Sequence, residues 1–177
     1  MSDGVDGYLV VGRNDRPLSD LYVLRSFLPA VAGNRPRADG WQICDLDAGA
    51  AIADSVTLLV DIAAETNAPA LLGSVLDTGR AAVEGFSGAG GYWRAVLPAG
   101  PGADQRPVEE VAACVARWAS AARHTVAAAP IAEFLRAPSR SQVDGMFEEL
   151  LSLLGLPDTA EAAPEALAAG PYPVFKE

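Results

Sequence analysis

Two apolar runs around a short polar turn decide the fold: Ala70-Leu-Leu-Gly-Ser-Val-Leu76, then Asp77-Thr78-Gly79, then Arg80-Ala-Ala-Val-Glu-Gly-Phe86. Each run has strand length, and three polar or small residues between two such runs read as a β-hairpin. Gly79 is expected to supply a positive φ. After the short Ser87–Gly91 connection, Tyr92-Trp-Arg-Ala-Val-Leu97 has strand character and should pair next to the hairpin. Consecutive strands joined by short loops pair antiparallel, so this stretch sets an antiparallel sheet at the centre of the chain.

Further strands are expected on the N-terminal side, at Tyr8-Leu-Val-Val-Gly-Arg13 and at Trp41-Gln-Ile-Cys-Asp45. Between them, Pro17 can open a helix reaching Leu28 that should be largely buried, since Leu18, Leu21, Tyr22, Leu24, Phe27 and Leu28 cover more than one of its faces, and Gly33–Gly40 reads as a loop. From Ala50 to Glu65, Ile52, Val56, Leu59, Val60 and Ala63 recur at helical spacing, with Asp54, Asp61 and Glu65 opposite. Asp47 is the expected cap of that helix and Asn67, before Pro69, its end. Pro98–Arg106 reads as a linker, followed by helices over 107–123, from Pro130 to about Arg136, and over 141–154. Ser141 and Asp144 have capping-box spacing, and Gly155 with Pro157 ends the last helix.

The expected architecture is therefore α+β: a small, mainly antiparallel sheet with the three longer helices packed on one face. Residues 1–155 form one domain, and 156–177 a Pro/Ala-rich tail whose Tyr172, Val174 and Phe175 could dock on it. At 177 residues the chain can bury a sizeable core without disulfides or a metal.

Composition narrows the function classes. With 13 basic and 23 acidic side chains the formal charge is −10, against direct binding of nucleic acid. No long apolar run suggests a membrane span, and acids near the start argue against a secretory signal. A cytoplasmic location follows as the expectation, with Cys44 and Cys114 as reduced, buried thiols. Arginine in place of lysine, with abundant alanine, suggests a GC-rich bacterial genome. No cofactor is indicated.

Chemical motifs are few. Gly85-Phe-Ser-Gly-Ala89 misses the GxSxG nucleophile elbow and precedes a strand instead of a helix. The glycines at 85, 88, 90 and 91 lack the Lys-Ser/Thr of a phosphate loop. His124 is the single histidine, which removes paired-imidazole metal sites, and its place near a helix end suits a cation beside the dipole. Asp45-Leu-Asp47 could hold a magnesium ion, or could end a strand and cap a helix.

Two surface features remain. Asp54, Asp61 and Glu65, extended by Glu109, Glu110, Glu148 and Glu149, form a candidate acidic docking face. Tyr92, Trp93 and Arg94 are of the types that dominate contact hot spots, with Trp93 on the opposite strand face from the other two. The expected function is a non-catalytic interaction protein binding a basic protein partner, with homo-oligomers possible and neither nucleic acid nor membrane bound. The other reading is a small-molecule-binding protein or enzyme, with a pocket around Asp45, Asp47 and His124.

Overall fold

The structure is a computed structural model in which residues 7–99 and 106–158 are described. Among these residues six strands form one antiparallel sheet: β1 (Gly7–Arg13), β2 (Val31–Pro36), β3 (Trp41–Asp47), β4 (Ala70–Asp77), β5 (Arg80–Ser87) and β6 (Gly91–Leu97). Their spatial order is β2-β3-β1-β4-β5-β6. β1 sits in the middle, pairing β3 from Gly7↔Asp47 to Arg13↔Trp41 and β4 from Tyr8↔Ser74 to Val11↔Leu71. Among the described residues four α-helices accompany the sheet: α1 (Ser55–Thr66), α2 (Val108–Ala121), α3 (Ala128–Arg136) and α4 (Val143–Leu153). The α+β class and antiparallel sheet are as the sequence implies.

The helices do not share one face. Strand alternation sends Leu9, Val11, Trp41, Ile43, Leu71, Val83, Trp93 and Leu97 to a core closed by α2, α3 and α4. Val10, Cys44, Leu46, Ala70 and Leu72 point the other way, against α1 and the segment Leu18–Ala30. The sheet is thus the middle of three layers, because both sides of its central strands are apolar and each must be covered. Trp118 of α2 anchors the first core: its indole donates to the Ala70 carbonyl at 2.9 Å and its ring meets Trp41 at 5.7 Å between centroids.

Local chemistry explains the other departures. Leu18–Asp20 and Tyr22–Ala30 are 3-10 turns with Pro29 inside, in place of one buried α-helix; Leu18, Leu21 and Leu24 are buried, while Tyr22 and Leu28 face solvent. Gly33–Pro36, part of the Gly33–Gly40 stretch expected as loop, belongs to an edge strand, Val31–Pro36, with a bulge at Val31/Gly33. The hairpin turn needs no positive φ at Gly79. Asp77 holds it, accepting from the Gly79 N–H at 3.0 Å and from Arg80 Nε at 2.7 Å.

Helix α1 starts at Ser55, capped by Asp54 instead of Asp47. Asp54 accepts from the Thr57 N–H at 3.0 Å and the Thr57 hydroxyl at 2.7 Å; Asp47 caps the single turn Ala48–Ala50. Asn67 ends α1 at φ 52°. At α4 the N-cap is Gln142 with no side-chain bond, so the Ser141/Asp144 box is not formed. Past α4 the chain stays packed: Leu156 is fully buried and Asp158 bridges to Arg37. Most of the 98–106 linker, and Tyr172, Val174 and Phe175, lie outside the described residues.

Candidate interaction surface

Helix α1 lies mainly over β1, β4 and β5. Its buried line is Leu58, Leu59 and Ile62. Helical spacing then places Glu65, Asp61 and Asp54 on one flank and Val56 and Val60 on the other. The acidic flank is turned to the 3-10 segment, since Glu65 accepts from the Tyr22 N–H at 2.6 Å and the Val23 N–H at 3.2 Å. Val56 and Val60, both exposed, therefore lie on the flank turned away from that segment.

On the same sheet face, β6 presents Tyr92 and Arg94. Register sets Tyr92 opposite Phe86 and Arg94 opposite Glu84. Glu84 is the one charged strand residue enclosed here, 8% exposed. A single oxygen, Oε1, accepts from the Tyr92 hydroxyl at 2.5 Å and from the Ser55 hydroxyl at 2.7 Å. These charge-assisted bonds tie the first residue of α1 to the edge strand, which is how a carboxylate is tolerated at this depth. Burial, then the bond to Glu84 and its charge, push the Tyr92 phenol well above its ordinary range despite the opposing effect of Arg94. Tyr92 is thus a neutral, fixed donor on a partly exposed side chain.

Trp93 leaves the surface set. At 3% exposed it belongs to the core under the helices, its ring lying flat over Gly85, directly across the strand pair. A β-carbon on Gly85 would overlap that ring, so the glycine is required by the close approach.

The acids divide by structural role. Asp54 and Glu65 are occupied as caps, and the two bonds from Thr57 hold the Asp54 carboxyl below its usual range. Asp61 is exposed and available on the crest of the same flank. The proposed extensions lie in the opposite helical layer. Glu109 pairs with Arg136, Glu149 accepts from Ser139 N–H and hydroxyl at 3.0 and 2.7 Å, and Glu148 joins a cluster at the β2 edge. No single acidic stripe spans them.

The second candidate set is not gathered into a pocket. Asp45 forms a two-point ion pair with Arg35, 2.8 and 2.9 Å, and Glu148 bonds both Arg35 (3.2 Å) and the buried Arg37 (2.5 Å). Those contacts pin β2 to β3 and α4. Asp47 is spent on the Gly49 N–H at 2.8 Å. His124 sits where α2 and α4 end. Each helix closes on a left-handed residue, Arg123 (φ 68°) and Gly155 (φ 83°), with a six-residue hydrogen-bonded ring: His124 N–H to Ala119 O, and Leu156 N–H to Leu151 O, both 2.8 Å. The imidazole lies against Gly155, where a β-carbon would come within 2.8 Å of it. Its evident work is joining two helix ends.

Among the described residues, no three His, Cys, Asp or Glu side chains are placed to hold a metal, and no helix is long and apolar enough to cross a membrane. Cys44 is buried on the α1 face, where desolvation and then Asp45 push its thiol up to about 11, while Cys114 is on α2 across the sheet. The sheet between them rules out a bond between the two. Sequence reading missed Glu84. The signal was present: a lone acid inside a strand apolar on both faces must be buried and therefore partnered. Comparisons with protein-family models, curated proteins and solved structures find no match to this chain.

Proposed function

We propose that this chain is a non-catalytic interaction protein whose α1 layer receives a basic protein partner. The observation that supports the reading is the outer layer, which the described residues leave incomplete. Val56 and Val60 on α1, and Tyr92 and Arg94 on β6, stand exposed on one side of the molecule, with the sheet floor beneath them fixed by the Ser55–Glu84–Tyr92 bonds. Apolar side chains of the partner would meet Val56, Val60 and the Tyr92 ring, and its cations would face Asp61 and the formal charge of −10.

Capture should therefore weaken with salt. Reversing Asp54 and Glu65 would also damage their caps, so Asp61→Lys is the clean charge probe and Val60→Asp the clean contact probe. The test is a pull-down of the partner by wild type and both variants, at low and high ionic strength. Salt-sensitive capture lost in both variants supports the reading. Equal capture by all three at both salts, or a small metabolite co-purifying with no protein, overturns it.

A further inference from the structure

The two edges of the sheet are built differently. At β2, pairing with β3 is broken by the Val31/Gly33 bulge, Pro36 removes a backbone donor, Arg35 carries a charge at the rim, and Arg37, just past the strand, is bridged by Asp158. These are the devices by which natural sheets prevent another strand from adding. β6 shares only the charge, at Arg94, and lacks the others. Its register with β5 runs without interruption from Ala81↔Leu97 to Ser87↔Gly91, it contains no proline, and among the described residues no strand pairs on its other side.

We propose that β6 is a self-association edge: two copies join β6 to β6, antiparallel across a two-fold axis, with each Tyr92 opposite Arg94 of the second copy. The argument is one of register. When two identical antiparallel strands meet around an axis normal to the sheet, directly opposed side chains share a face, so one residue must face its own copy. Centring on Arg94 places two guanidiniums together and Tyr92 against Val96. Centring on Tyr92 leaves Arg94 opposite Gly90, beyond the strand. Moving to Ala95 carries Tyr92 past the strand end, against Pro98. Centring on Trp93 instead sets Tyr92 against Arg94 twice, a cation over an aromatic ring on each side of the axis. The product is a continuous twelve-stranded sheet, and the two open β5–β6 faces adjoin in one floor between two α1 helices.

This inference does not depend on the partner reading, and salt separates the two. Each copy carries formal charge −10, so dimerisation strengthens with ionic strength where capture of a basic partner weakens. The experiment is sedimentation velocity of the purified full chain over a wide concentration range, at about 20 mM and about 300 mM salt. A reversible dimer, tighter at the higher salt, is expected. Tyr92→Arg places like charges opposite each other twice and should weaken it at least about tenfold. Tyr92→Arg with Arg94→Glu restores opposite charges and should recover it. Tyr92→Cys with Arg94→Cys should give an intermolecular disulfide on oxidation. Circular dichroism checks that each variant folds. A monomer at all concentrations, or a dimer indifferent to Tyr92→Arg, overturns the proposal. A dimer that Tyr92→Arg breaks but the double charge variant does not rescue overturns the register.

Discussion

Gly85→Ala is the sharpest test of how the two cores are assembled. The added β-carbon would fall 2.5 Å from Trp93 Cζ2 and closer still to Cε2 and Nε1. Ordinary carbon contacts begin at about 3.5 Å, so the indole must retreat by about 1 Å or more. It has little room, because the ring is 3% exposed and held beneath the helical layer. Overpacking of this kind costs about 1–3 kcal/mol, and the rigid, enclosed ring places this site near the upper end. Urea unfolding followed by far-UV circular dichroism measures the loss, and an unchanged m value would show that the unfolded state is not responsible.

The decisive comparison is the cycle with Trp93→Leu. That variant alone should lose about 2 kcal/mol through the cavity it leaves. On its background Gly85→Ala should be neutral, or favourable by about 0.5 kcal/mol, since alanine is the better strand residue. The two changes then couple by about 2 kcal/mol or more. Gly85→Ala within about 0.5 kcal/mol of wild type, or a penalty that persists without the indole, would refute the claim that this glycine exists to admit the ring.

Other perturbations follow from the same geometry. Tyr92→Phe should lose about 1 kcal/mol, because Glu84 keeps its bond from Ser55 but surrenders the phenol; no change in the denaturation midpoint would contradict that. Arg123→Gly should stabilise by about 1 kcal/mol, since a left-handed residue with a β-carbon is replaced at the end of α2, and a lower melting temperature would count against it. The Asp54 carboxyl is held below its ordinary value in the folded chain, so its contribution is present above the unfolded pKa of about 4 and fades as pH falls through the lower folded value. Asp54→Asn should therefore flatten the acid limb of a stability–pH curve below about pH 4 while leaving its neutral shape unchanged. Finally, one thiol, Cys114, should react with a maleimide in the native state and two after unfolding, because Cys44 is enclosed and its thiolate disfavoured; rapid native labelling of Cys44 by mass spectrometry would be inconsistent with this fold.

Much of this architecture could be read in the chain. The hairpin, β1, β3, α1, α3 and the stop after α4 were each written in short-range patterns: apolar runs, helical spacing, Asn67 and Gly155 at helix ends. What could not be read depends on partners distant in sequence. Gly33–Pro36 looks like loop because its strand character comes from β3 and from the Arg35–Asp45 pair, not from its own apolar content. That α1 lies across the sheet from α2 was knowable only through the strands. Leu71 and Leu72 are both buried, so the hairpin strands needed cover on two faces. Of the candidate surface residues, Tyr92, Arg94 and Asp61 remain available. Trp93, Asp54 and Glu65 serve the fold, as do Asp45 and Asp47. Carboxylates near helix starts are the commonest caps, and charge count alone does not distinguish a cap from a docking group.

The placement of β1 has a consequence for the mechanical unity of the sheet. The strands fall into two groups, β1–β3 in the order β2-β3-β1 and the meander β4–β6, stitched along the β1–β4 line, the shortest of the strand pairings. Helix α1 lies across that line like a bolt, touching strands on both sides, and the Asn67–Pro69 link between it and β4 is where the two groups are tethered. A nick in that link leaves the bolt attached to one half and its seat on the other. The fold is thus partitioned for complementation between two separately expressed fragments, whose reassembly would report directly on the strength of the stitch.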